Sequence, residues 1–232
     1  MVATGLSWSP DGSKLVAGLD GGSSWGVYVL DLAGGGFTKI VDDVYGGVDW
    51  SPDGSRIALN GIETVAPDGT GRTFVTIGGH PSWSPDGTNL AFVRNGDVWV
   101  SNPDGTGQVN LTDSPSDLRS GPEWSPDGTK IAFSSRRDGV QPCGQFALQS
   151  PCADIHVMNA DGTGEVNLTN TPTVDESFPA WQPVPGPRPA GYKNRSAFCC
   201  AERDFWGDHT FGAKYGTNGN GANAFGKCVS AR

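Results

Sequence analysis

Between His80 and Thr112 the apolar residues fall in short runs separated by turn formers. Leu90-Ala91-Phe92-Val93 is a continuous β-prone run, Asn95-Gly96 turns the chain, and Asp97-Val98-Trp99-Val100-Ser101 alternates as a half-buried strand does. Pro81-Ser82-Trp83-Ser84 precedes them as a short strand, Pro103-Asp104-Gly105-Thr106-Gly107 turns the chain again, and Val109-Asn110-Leu111-Thr112 closes the unit. In these turns Pro presets φ, Asp bonds the backbone ahead of it and Gly takes positive φ. The pattern predicts a four-stranded antiparallel meander.

The same unit recurs. Trp-Ser-Pro-Asp-Gly stands at Trp8 to Gly12, Trp50 to Gly54, Trp83 to Gly87 and Trp124 to Gly128, and it fades to Trp181-Gln182-Pro183. Strands are expected near 14–19, 26–32 and 37–41 after Trp8, near 55–60, 62–66 and 73–77 after Trp50, and near 129–135, 154–159 and 165–169 after Trp124. A four-stranded unit of this size cannot bury both faces alone, and radial stacking around an axis solves the problem. The fold class expected is therefore all-β, a β-propeller of four-stranded antiparallel blades.

Composition narrows the function. With 35 Gly and 17 Pro the chain favours turns over long helices, and no apolar run is long enough for a membrane span. The net charge of −9 is unevenly placed: residues 1–184 carry −13 and residues 185–232 carry +4. So acidic a body repels phosphate backbones, which excludes nucleic acid as its partner. Cys143 and Cys152 bracket a short loop and read as a disulfide-pinned insertion, which points to an oxidising compartment. The first residues, Met-Val-Ala-Thr-Gly-Leu-Ser-Trp, nevertheless show no basic region followed by an apolar core, so no signal peptide is visible there.

The segments SWSPDGTNLAFVRNGDVWVSNPDGTGQVNLT and EWSPDGTKIAFSS, continued by ADIHVMNADGTGEVNLT, resemble the repeats of TolB-type, or WD40-like, β-propellers over roughly residues 5 to 183. That resemblance implies an exported, periplasmic or extracellular, binding platform. Rings of this kind are commonly closed by pairing strands from both chain ends in one blade. Here residues 177–183 look like the first strand of a further blade and a Pro-rich stretch follows. Four complete blades and one orphan strand result, and N-terminal truncation relative to the family is the simplest account. The competing account is a natural four-bladed or oligomer-closed ring, and an open ring would offer edges to another chain.

In an up-and-down blade the turns after strands one and three share one end. Asp11, Asp53, Asp86 and Asp127, with Asp68, Asp104 and Asp161, should crown it. A carboxylate ring could attract calcium or a cationic surface, but Asp before Gly is ordinary turn chemistry, so no cofactor and no metal site is assigned. The repeated Trp residues are expected to pack between blades rather than stack on sugars. The opposite end carries loops of uneven length, 19–25, 42–47, 78–81, 112–122, 136–153 and 169–179, and such loops are where recognition concentrates. Arg136, Arg137, Phe146 and the Cys143/Cys152 insertion are the first choices for contacts.

Catalysis has little support. Gly22-Ser23-Ser24-Trp25-Gly26 fits the nucleophile-elbow pattern, but an elbow needs a strand before it and a helix after it in an α/β domain. His80, His156 and His209 lie on separate elements and form no cluster. Past residues 184–190, a Pro-rich linker, residues 191–232 resemble a small C-terminal module found on secreted bacterial proteins, expected to be partly helical. By that resemblance Cys199 pairs with Cys228 and Cys200 stands where a basic residue is usual. Asn110-Leu111-Thr112, Asn167-Leu168-Thr169 and Asn194-Arg195-Ser196 fit glycosylation sequons, the first two being simply the terminal strand of a blade.

The expectation is thus a propeller over 1–183 that binds a protein or small ligand at its variable-loop face without catalysis, with oligomerisation through open propeller edges. The alternative is a propeller-type enzyme, or an enzyme-associated domain, acting on carbohydrate or peptide.

Overall fold

The structure is a computed structural model that describes residues 2–20, 25–44, 46–113, 119–137, 152–171 and 174–181, all within one compact unit, Met1–Gln182. The described residues are all-β. The first sheet is β1 (Val2–Trp8), β2 (Lys14–Asp20), β3 (Trp25–Asp31) and β4 (Gly36–Asp42); the second is β5 (Val48–Trp50), β6 (Ile57–Leu59), β7 (Glu63–Val65) and β8 (Thr73–Phe74). The third is β9 (Gly79–Trp83), β10 (Leu90–Arg94), β11 (Asp97–Ser101) and β12 (Val109–Asn110), and the fourth is β13 (Arg119–Trp124), β14 (Lys130–Ser135), β15 (Asp154–Asn159) and β16 (Val166–Asn167). Each sheet is a four-stranded meander in chain order, and all pairings are antiparallel, as the turn spacing requires.

Consecutive sheets pack face to face, first to second, second to third and third to fourth, and no contact joins the first to the fourth among the described strands. Three apolar seams hold the array together. Val16, Val29 and Val41 of the first blade meet Val48, Trp50, Ile57 and Leu59 of the second. Ala58, Ile62 and Val75 meet Trp83, Leu90 and Phe92, and Ala91 and Val98 meet Trp124, Ile131 and Phe133. Each fully buried Ile, Leu or Phe contributes roughly 1.5–3 kcal/mol, so the seams supply the main apolar stabilisation. The motif Trp residues at 50, 83 and 124 are seam residues, as the spacing predicts, whereas Trp8 is exposed.

Strand three is tied to strand four by a second repeated device. Asp97 accepts from Asn110 Nδ2 at 3.1 Å and from Thr112 Oγ1 at 2.9 Å, while Thr112 Oγ1 accepts from Val98 N at 3.0 Å. Asp154 repeats the arrangement with Asn167 Nδ2 at 2.9 Å. The Asn-Leu-Thr triplets at 110 and 167 therefore use their side chains to close the blade. Asn194 lies outside the described residues.

Two expectations change. Residues 174–181 form no strand, because no second strand of a further blade stands beside them among the described residues, although Phe178-Pro179, with Phe178 at φ 57°, repeats the backbone of His80-Pro81 in β9 and Gly121-Pro122 in β13. The stretches expected as loops at 78–81 and 112–122 are shorter than that, since Gly79–Trp83 and Arg119–Trp124 are strands. Register shifts in these strands accommodate the extra residue. The C-terminal residues 182–232, with Cys199, Cys200, Cys228 and the expected partly helical tail, lie outside the described residues.

Candidate functional site

The end of the blades that carries the repeated turn is built identically each time. In the second blade Ser51 Oγ donates to Asp53 Oδ1 at 2.6 Å and accepts from Arg56 N at 2.9 Å. Asp53 Oδ1 also accepts from Ser55 N at 3.0 Å. Ser9/Asp11, Ser84/Asp86 and Ser125/Asp127 repeat the pattern, and Asp68, Asp104 and Asp161 each accept from the N–H and hydroxyl of the Thr two residues on. The four motif glycines lie at φ 69° to 77°, a region in which other residues are strained. A Cβ at Gly87 or Gly128 would meet the ring of Pro52 or Pro85 of the preceding blade at 3.3 Å, so the turns also bear on one another.

These hydrogen bonds favour the charged carboxylate. The hydroxyl of Ser9, followed by the N–H and hydroxyl of Ser13, lowers the pKa of Asp11 to about 2, and Asp53, Asp86 and Asp127 are lowered by the hydroxyl of the preceding Ser first of all. The carboxylates are turn acceptors. Among the described residues no group of three or more His, Cys, Asp and Glu is placed to hold a metal.

The other end differs. The residues three to one before each motif Trp are Gly5-Leu6-Ser7, Gly47-Val48-Asp49, His80-Pro81-Ser82, Gly121-Pro122-Glu123 and Phe178-Pro179-Ala180. Except for Ser7, Asp49 and Ser82, these residues line a cavity of about 490 Å³ together with Ala3 and Thr4. The residue before the Trp serves as a bridge between blades. Ser7 Oγ accepts from Trp50 N at 3.1 Å and donates to Asp49 Oδ1 at 2.8 Å. Asp49 Oδ2 then accepts from Trp83 N at 2.7 Å, and Ser82 Oγ from Trp124 N at 3.3 Å.

Burial here acts against charge. It raises the Asp49 carboxyl from an ordinary 3.8 to about 6, against the opposing hydrogen bonds from Trp83, Ser7 and Trp50. It raises Glu123 from 4.5 to about 8, with the neighbouring charge of Asp49 adding to the effect. At neutral pH Glu123 is therefore mostly a hydrogen-bond donor. Burial also lowers the His80 pKa, so its imidazole is neutral at pH 7. His80 and Phe178 sit at φ 54° and 57°, and their rings are 5.6 Å apart. Left-handed backbone at two non-glycine residues costs on the order of 1–3 kcal/mol each and tends to cluster at functional sites.

Arg136 and Arg137 lie at the same end and are anchored by the protein's own acids. Arg136 pairs with Asp175 at 3.2 Å, and Asp175 also accepts from Ala153 N. Arg137 pairs with Glu165 at 3.2 Å, whose other oxygen is 3.1 Å from His156 Nδ1. His156 is buried and stacks on Phe133. Cys152 is in a disulfide, whereas Cys143 and Phe146 lie outside the described residues. The serine-elbow pattern also falls mostly outside them, and it is followed by strand β3 rather than by a helix.

Reasoning from sequence placed the recognition surface at the loop end but missed Asp49, Glu123, His80 and Phe178. The signal was available: the position before the motif Trp varies as Ser, Asp, Ser, Glu and Ala inside an otherwise regular repeat.

No protein-family model matches the chain, and no curated protein matches it. Among solved structures it is similar to TolB of Agrobacterium tumefaciens, at 24% identity and TM-score 0.63 over 78% of this chain and 66% of that one. It is also similar to TolB of Acinetobacter baumannii, at 20% identity and TM-score 0.59, over 76% of this chain and 45% of that one. A chain of a nidogen/laminin complex matches at 16% identity and TM-score 0.56, over 71% of this chain and 63% of that one. The chain thus spans 66% or less of these structures. The fold is that of a TolB-like β-propeller, and no described helix is long and apolar enough to cross a membrane.

Proposed function

We propose that this chain is a non-catalytic, exported binding platform that takes a protein segment or small ligand at the variable-loop end of its propeller. The observation that carries the reading is the axial cavity, lined by one short stretch from each blade and rimmed by the strained His80/Phe178 pair. Cavities with an apolar wall and a few convergent polar groups are the usual form of a ligand site. In this reading Arg136 and Arg137 belong to the outer part of the surface and Glu123 is the carboxyl that lines the cavity, while Phe146 and the Cys143/Cys152 insertion, outside the described residues, are taken from the sequence alone as further contacts. The disulfide at Cys152 supports an oxidising, periplasmic or extracellular location. Propellers share one scaffold across unrelated functions, so the reading rests on the site and not on the fold.

The test is calorimetric titration with a panel of short peptides and oligosaccharides, alongside product analysis with and without divalent metal. Saturable binding without product, weakened by deletion of 139–152 and by Phe178→Ala, is the expected result. Turnover of any panel member would replace this reading with the enzyme reading.

A further inference from the structure

At the turn end consecutive blades meet through their motif glycines and prolines, and the junction between the second and third differs from the other two. There Pro52, Asp53 and Arg56 of the second blade and Pro85, Asp86 and Pro103 of the third help to line a pocket of about 490 Å³, a size ordinary for small-ligand sites. Each of these blades packs on a further one, so neither wall belongs to an end of the array. The residue five after the motif Ser, whose N–H that Ser accepts, is Lys14, Arg56, Asn89 or Lys130. Both lysines are held inside their own blade: Lys14 Nζ pairs with Asp31 at 2.8 Å, and Lys130 Nζ donates to Asn159 Oδ1 at 3.1 Å. Register sets Asp31 opposite Lys14 and Asn159 opposite Lys130. Val65 lies opposite Ile57, so Ala66 stands at the matching place for Arg56. The second blade thus keeps the cation and lacks its partner. Arg56 Nη2 donates to Thr73 Oγ1 at 3.2 Å, and the ion pairs among the described residues do not include it.

We infer that this pocket binds a small zwitterion with an apolar body, its carboxylate on Arg56 and its ammonium on Asp86. A guanidinium presents a planar fork of donors that matches a carboxylate. Asp86 takes the hydroxyls of Ser84 and Thr88 and the N–H of Thr88 all on Oδ1, whereas in Asp53 the second oxygen also accepts from Ser55. Oδ2 of Asp86 is therefore the acceptor left for an ammonium. The same bonds keep both aspartates ionised at neutral pH. Arg56 and Asp86 come from different blades and line one pocket without pairing with each other, and a ligand that carries both charges answers both. A purely anionic ligand meets two carboxylates against one guanidinium, and a purely cationic one meets Arg56. Pro52, Pro85 and Pro103 give the body of the ligand an apolar wall that has no N–H to satisfy. Free apolar amino acids and short apolar peptides share this chemistry. The pocket is separate from the loop-end cavity and stands independently of the function proposed there.

Calorimetric titration of the full chain with leucine and with Leu-Leu tests this and separates the two sources. Saturable binding of one or both is expected, with N-acetyl-Leu-Leu amide, which lacks both charges, at least about tenfold weaker. Arg56→Gln should weaken binding by at least about tenfold. Ala66→Asp gives Arg56 the partner that Lys14 has, and should weaken binding as well while leaving the thermal melt unchanged or raised. Arg72→Gln, at an arginine already paired with Glu63, and Phe178→Ala, at the loop-end cavity, should leave it unchanged. If Arg56→Gln fails to fold, Ala66→Asp makes the measurement alone. No saturable binding of either probe, equal binding of the blocked analogue, or binding insensitive to both Arg56→Gln and Ala66→Asp would overturn the inference.

Discussion

The two ends of the propeller are made from the same repeat and hold their acids in opposite ways. At the turn end Asp11, Asp53, Asp86 and Asp127 sit near water, take hydrogen bonds from Ser, Thr and backbone N–H groups, and have lowered pKa values. At the loop end Asp49 and Glu123 are set into the axis, and burial raises their pKa values to about 6 and about 8. The first arrangement is repeated in every blade. The second occurs once in each of two blades, at a position where the other blades use Ser or Ala. Regularity accompanies a structural role, and the departure from it coincides with the proposed binding site.

The largest expected effect attacks the turn end directly. Gly87→Val puts a β-branched residue at φ 72° with its Cβ 3.3 Å from the Pro52 ring. It should cost about 2–3 kcal/mol, read as a drop in the denaturant midpoint. A mutation of the same type at a non-motif surface position should cost far less.

pH separates the two ends. Asp49 and Glu123 have folded-state pKa values above their ordinary ones, so the stability tied to their protonated forms is complete below about pH 4. It is lost as pH rises, through about 6 for Asp49 and about 8 for Glu123. The turn aspartates behave oppositely: their lowered values keep stability above about pH 4 that is lost as pH falls. The melting temperature should therefore peak near pH 4–6 and decline towards pH 8. Asp49→Asn with Glu123→Gln should flatten the alkaline decline, raising stability at pH 8 by about 2 kcal/mol and changing little at pH 5. A decline that survives both substitutions would show that other groups cause it.

Ser51→Ala removes the acceptor for Arg56 N and the donor to Asp53. Its cost should be about 1–2 kcal/mol, since it leaves a buried N–H short of a partner. The smallest effect is expected at the axial rim. His80→Gly releases left-handed strain at a position where the fourth blade already has Gly121, so stability should rise by about 0.5–1 kcal/mol while ligand binding falls. Loss of stability in this variant would mean that the imidazole packing outweighs the strain.

The strands, turns and order of the blades were legible because they rest on local rules. Alternation marks β11, a continuous apolar run marks β10, and Ser-Pro-Asp-Gly specifies its own hydrogen bonds over five residues. The burial of Trp50, Trp83 and Trp124 followed from the repeat. Less legible were the ends of the array. Ser177–Trp181 carries the composition of a first strand, yet it forms none where no further strand pairs with it. Trp8 carries the same motif as the buried Trp residues and lies open, because burial depends on what stands opposite and not on the residue itself.

Alone, the sequence determined the β-class, the four-stranded blade, the chemistry of the turns and the acidity of the body, all set by interactions within about a dozen residues of chain. The tertiary structure decided which equivalent residues meet. It drew Asp49 and Glu123, 74 positions apart, to one axis, where low polarity and mutual charge raise both pKa values. Among the described residues it also left Trp8 exposed while burying Trp50, Trp83 and Trp124. Burial and Coulomb coupling act through space, so neither could be read from residues taken in order.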